Sequence, residues 1–137
     1  MVGRSHSLGA RLVSLVIAAI PLCACDIDLF GFDQRRLAGP FWLHVWEGGN
    51  FTLEVAKEPE DGGCGVLGGR VRRIGWTEAV ILAEQETCGG TGARSGWVVV
   101  TVKTKAIEPV EASAIAARPE LASIKVLEAD EAWKRLK

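Results

Sequence analysis

Four cysteines, two histidines and five tryptophans are the side chains here with distinctive chemistry. His44 lies in the run FWLHVW at residues 41–46, where it alternates with Trp42 and Trp46. An imidazole does acid–base work only beside a positioned partner. The chain shows no nucleophile motif, no paired carboxylates at a recognisable spacing and no cluster of metal ligands. His44 therefore reads as structural, and the chain as a protein that is not an enzyme and takes no cofactor. Gly63 to Gly68 (GCGVLG) matches the GxGxxG pattern. A phosphate-binding turn needs a strand before it and a helix after it. Here an acidic, Pro-containing loop precedes and a basic strand follows, so the pattern reads as a loop around a cysteine. Asn50-Phe51-Thr52 falls in a turn and reads as a chance sequon. Arg70, Arg72 and Arg73 form a small basic cluster, by default a solvated strand face and otherwise a contact for an anionic headgroup or acidic partner.

The tryptophans carry two readings. Trp42, Trp46, Trp76 and Trp97 either fill a small core or, where exposed together, form a platform for a glycan or a protein partner. Trp133 falls on a helical stripe and reads as core.

The N-terminal segment has Arg4 and Arg11 and no acid, then an uncharged run, LVSLVIAAIPL, at residues 12–22. That run has about eleven residues, whereas a membrane-spanning helix needs roughly 20. A basic start, a short apolar run and then small residues mark an export signal that is later removed. Pro21 breaks a helix near the end of the run. The segment closes on Leu22-Cys23-Ala24-Cys25. This resembles the lipobox of bacterial lipoproteins: an aliphatic residue, a variable one, a small one and a cysteine. The resemblance implies cleavage after Ala24 and a diacylglycerol thioether on the Cys25 sulfur. It also implies a mature protein anchored in the bacterial cell envelope, facing the periplasm or the exterior. The acidic Asp26 resembles the inner-membrane retention signal of enteric lipoproteins. Lipid chains contribute about 0.8 kcal/mol per buried CH₂, so two or more hold a protein stably on a membrane it does not cross.

Cys23 leaves with the signal and Cys25 takes the lipid. Cys64 and Cys88 remain, an even pair in an oxidising compartment, where such pairs become disulfides. Closing a loop of about 25 residues stabilises a fold by about 3 kcal/mol in the chain-entropy model. A metal site with His44 as third ligand is the rival, but no second Cys or His lies at ligand spacing.

Several elements must position these residues. Residues 25–39 read as a lipidated tether or arm, and Pro40 as the opening of the folded part. Residues 41–46 and 51–56 read as strands joined by the turn Glu47-Gly48-Gly49-Asn50. Residues 70–76, 79–85 and 97–104 read as three more strands: a glycine-rich loop at 57–69 leads into the first, Thr77-Glu78 turns between the first two, and a second glycine-rich loop at 87–96 precedes the last. The last is apolar on both faces over several residues, as in a strand covered on both sides. Residues 111–117 are alanine-rich and predict a short helix ending before Pro119. Val126, Ala129, Trp133 and Leu136 fall at helical spacing, with acids early and bases late, which suits the helix dipole. A terminal helix is expected from about Glu128. In an up-and-down meander the loops holding Cys64 and Cys88 lie at the same end, so topology and the cysteine pair agree.

The chain has 137 residues, enough for one domain, and 48% of them are hydrophobic, enough for a core. Removing residues 1–24 takes two arginines from the 16 basic residues and leaves 14 against 17 acids, a balance of about −3. That argues against a nucleic-acid partner. The expected fold is α+β: an antiparallel meander of about five strands with one or two C-terminal helices. The expected organisation is a signal peptide at 1–24, a tether at 25–39 and a domain at 40–137. The layout is similar to that of small bacterial lipoproteins, a likeness that adds fold and no chemistry. The expected function is a non-enzymatic binding or accessory module of the envelope, with a protein partner, or a cell-wall glycan bound through tryptophan.

Overall fold

A computed structural model describes residues 32–55, 64–88 and 95–137. The export segment, the lipobox and Cys25 lie outside the described residues. Eight strands and three short helices follow in order: β1 (Phe32–Ala38), β2 (Phe41–Trp46), β3 (Phe51–Glu54), β4 (Gly69–Trp76), β5 (Val80–Thr87), β6 (Gly96–Thr101), β7 (Ala106–Val110), α1 (Ala112–Ala117), α2 (Pro119–Ala122), β8 (Leu127–Glu128) and α3 (Ala129–Arg135). The fold is α+β and its strands are antiparallel, as the patterning implies.

The strands follow an antiparallel meander that divides into a three-stranded sheet, β1-β2-β3, and a five-stranded sheet, β7-β6-β5-β4-β8. The split falls at the β3–β4 connection, where no ladder joins the two strands. Each sheet turns an apolar face to a shared core. Phe41, Leu43 and Leu53 come from the small sheet, and Val71, Ile74, Ile81, Ala83, Val98 and Val100 from the large one. The opposite face of the large sheet carries Leu82 and Val99, which pack on Leu121 of α2 and on Ile124. The large sheet is thus covered on both sides. This explains why β5 and β6 are apolar on consecutive positions, as expected for residues 97–104.

Two strands were hidden from the sequence. β1 lies within the segment expected as a tether, and Pro40 falls in the turn between β1 and β2. FDQRRLA has no β-branched residue. It becomes a strand because β2 offers it a ladder, with Gln34 opposite His44 and Arg36 opposite Trp42. β7 contains Pro109, which is tolerated because β7 is an edge strand. Its neighbour Ile107 is the one large apolar side chain exposed among the described residues.

The helices match their patterns more closely. α1 ends before Pro119, and α3 follows Glu128 with Asp130 and Glu131 in its first turn and Lys134 and Arg135 in its last. Among the described residues no helix is long and apolar enough to cross a membrane. Gly75 lets the segment after α2 approach β4: a Cβ there would stand 2.6 Å from both Ile124 Cγ2 and the Lys125 carbonyl oxygen.

Arg35 fastens α3 to the small sheet. Its guanidinium Nη1 donates to the Trp133 carbonyl at 2.7 Å and the Leu136 carbonyl at 2.9 Å. Those are orphan carbonyls of a helix end. The same cation lies 4.4 Å from the centroid of the Trp133 ring, whose centroid is 6.0 Å from that of Phe51. Arg35→Ala removes two charge-assisted bonds and one cation–π contact. It is expected to lower unfolding free energy by about 2–3 kcal/mol in urea melts. Arg35→Lys should recover less than half, because an ammonium lacks the planar fork. An Arg35→Ala midpoint equal to wild type would show that α3 is held by apolar packing alone.

Candidate functional site

The expected site residues fall on different faces. Alternation along β2 sends Phe41, Leu43 and Val45 to one side and Trp42, His44 and Trp46 to the other. Cross-strand pairs place Thr52 opposite His44 and Glu54 opposite Trp42, so these residues share that second face. Trp42 and Trp46 are half-buried, and His44 and Thr52 are wholly buried.

Trp76 and Trp97 do not join them. Trp76 packs against the shared core, on the side of the large sheet that carries Ile81. Trp97 packs on the other side, against the cluster of Leu82, Val99, Leu121 and Ile124. Arg73 lies over the Trp97 ring at 4.9 Å from its centroid and pairs with Glu84. The Arg73 side-chain bond to Glu84 holds the Glu84 carboxyl below its usual range. Within the basic cluster, then, Arg73 is engaged, while Arg70 and Arg72 stay exposed. The four tryptophans form no common platform. Only Trp42 and Trp46 share a face, because strand alternation repeats every two residues and the other two belong to another sheet.

A hydrogen-bond relay runs along that face. The Trp46 indole N–H donates to Thr52 Oγ1 at 2.9 Å, and the Thr52 hydroxyl donates to Glu54 Oε1 at 3.2 Å. Glu54 is 7% exposed. Burial pushes its carboxyl above the usual range, against the opposing effect of the Thr52 hydrogen bond. The β3–β4 connection closes over this end. Val66 N–H donates to the Leu53 carbonyl at 2.8 Å. Gly65 adopts a φ of +62°, and a Cβ on it would stand 3.1 Å from both Thr52 Cβ and Glu54 Oε1. The relay is not legible in the sequence, because Thr52 and Glu54 look like ordinary strand residues until β2 is paired beside them.

His44 is wholly buried. Its neighbours on the face are Gln34 of β1 and Thr52 of β3, opposite it across the two ladders. Among the described residues no group of three or more His, Cys, Asp or Glu side chains is placed to hold a metal ion.

Cys64 and Cys88, expected to be bridged, are neighbours, in side-chain hydrogen-bond contact. Burial and the Cys64 contact push the Cys88 thiol up to about 11. Both are partly exposed.

Comparison with protein-family models, with curated proteins and with solved structures finds no match.

Glu54 yields a pH prediction. Its folded pKa lies above the unfolded one, so its contribution is favourable below the unfolded pKa and is lost as pH rises through the folded pKa. The ionised carboxylate therefore weakens the fold at neutral pH. Glu54→Gln keeps an acceptor for Thr52 and removes the charge. Its urea midpoint is expected to exceed wild type at pH 7, and the gap to shrink at pH 4. A gap that stays constant between pH 4 and 7 would falsify this account of Glu54.

Proposed function

We propose that the chain is a bacterial envelope lipoprotein, held on a membrane by a lipid on Cys25, whose folded part acts by binding an envelope partner. The observation that carries this reading is the charge-free run at residues 12–22, whose last residue opens Leu22-Cys23-Ala24-Cys25. The fold adds support in one respect. β1 opens at Phe32, so six residues, 26–31, separate it from Cys25. Six residues reach at most about 20 Å. An anchored domain is then kept close to the bilayer by the start of β1. Phe32 pairs with Trp46 there, so the β2–β3 turn sits at the same end. Asp26 fits residence at the inner membrane.

A second reading is favoured by Trp42 and Trp46, which share one sheet face and are both partly exposed. In it the partner is cell-wall glycan, stacked on the indoles.

Intact mass of the protein purified from membranes tests the anchor. Loss of residues 1–24 together with added acyl mass is expected, and Cys25→Ala should abolish both. Full-length, unlipidated protein in the soluble fraction would refute the reading. For the glycan, retention on purified cell wall is expected to fall at least about tenfold in Trp42→Ala/Trp46→Ala, a loss of about 1.4 kcal/mol. Equal retention by the two proteins would exclude a role for this face.

A further inference from the structure

Cys64 and Cys88 lie at the same end of one ladder. Cys64 precedes the turn that enters β4, and Cys88 directly follows β5. Gly69 pairs with Thr87 at that end. The residues beside Cys64, however, belong elsewhere. Val66 is bonded to Leu53, and Gly65 is seated on Thr52 and Glu54, all of β3 in the other sheet. Cys64 thus stands where the chain crosses from the small sheet to the large one, and Cys88 stands on the large one. No ladder bonds β3 to β4.

We propose that Cys64 and Cys88 close into a disulfide that serves as the covalent clamp between the two sheets, holding the Gly65 turn over Thr52 and Glu54. Two S–H bonds break and one S–S bond forms. The S–S bond of a disulfide-class oxidant breaks in turn, and the oxidant takes up the two electrons and the two protons to leave as two thiols. That oxidant is oxidised glutathione in vitro, or a thiol–disulfide oxidoreductase in an oxidising compartment. The first attack gives a mixed disulfide, which the second cysteine resolves.

One observation separates this from a metal site. No third His, Cys, Asp or Glu is placed to complete a ligand set among the described residues. Both cysteines are partly exposed, which gives an oxidant access to the pair. The clamp does not depend on the lipid anchor.

The test uses the full chain, incubated with oxidised glutathione and then quenched with an alkylating agent. Peptide mapping without reductant is expected to find Cys64 and Cys88 in one linked pair, two mass units lighter than the separate peptides. Reduction should lower the urea midpoint. It should also speed hydrogen exchange of the Val66 amide at least tenfold, because that amide reports the contact between turn and β3. Neither change should appear in Cys64→Ser/Cys88→Ser, and reduction of the wild-type chain gives the same readouts where that variant fails to fold. Alkylation of both cysteines after oxidation would overturn the bridge, as would a metal ion retained on the native protein. A bridge whose reduction leaves both the midpoint and Val66 exchange unchanged would overturn the clamp.

Discussion

The apolar contact between the two sheets is the constraint on which the rest of the structure depends. Phe41, Leu43 and Leu53 are fully buried on the small sheet, as are Ile74, Ile81 and Val100 on the large one. Burying side chains of this size is worth about 1.5–3 kcal/mol each. A three-stranded sheet with one apolar face is marginal alone and needs such a partner. Once β2 and β3 face the core in this way, period-two alternation leaves no freedom for their other residues. Trp42, His44, Trp46, Thr52 and Glu54 must lie on the opposite face.

That face shows how a protein holds polar groups away from water. Burial of a polar group is costly unless it finds a hydrogen-bond partner. The relay from Trp46 through Thr52 to Glu54 supplies partners in sequence, with each donor aimed at the next acceptor. Its last member still lacks the solvation of an exposed carboxylate, which is why the Glu54 pKa is raised despite the Thr52 bond. Gly65 matters for the same reason. Only a residue without a side chain brings the β3–β4 connection this close to Thr52 and Glu54. The crossover, the relay and the cysteine pair therefore meet at one place, although they come from distant parts of the chain.

The second anchoring device is Arg35, which reaches across about a hundred residues to the end of α3. A seven-residue helix has little stability of its own. It persists here because Ala129 and Ala132 are buried and because Arg35 binds its terminal carbonyls. Arg35 lies in a stretch whose composition suits a tether. What makes that stretch a strand is the free edge of β2, and what makes Arg35 structural is the arrival of α3 beside it.

Periodicity and punctuation were enough to read strands at 41–46, 51–56, 70–76, 79–85 and 97–104, which overlap β2 to β6, together with the short helix before Pro119 and the terminal helix from about Glu128. These elements carry their signals locally: alternation, turn glycines, and charges ordered along a helix axis. The covered strand read at 97–104, which is β6, was legible too, since consecutive valines need cover on both faces. Three things were not local. The split into two sheets depends on which strand edges pair, and the hydrophobic pattern of a strand says which face is buried without naming its neighbour. β1 and β7 are strands by pairing alone, the first polar and the second interrupted by proline. The site was legible only in pieces. Cys64 and Cys88 were matched by counting and by loop position, and their contact follows from the β4–β5 ladder. The tryptophans were read as one set and fall on three faces, because residues separated by a sheet boundary share no alternation. Sequence by itself determined the type and order of the elements that carry local signals, and which two cysteines remain for the folded part. Only tertiary structure decided which faces meet, because burial is a property of what packs against a residue and not of the residue.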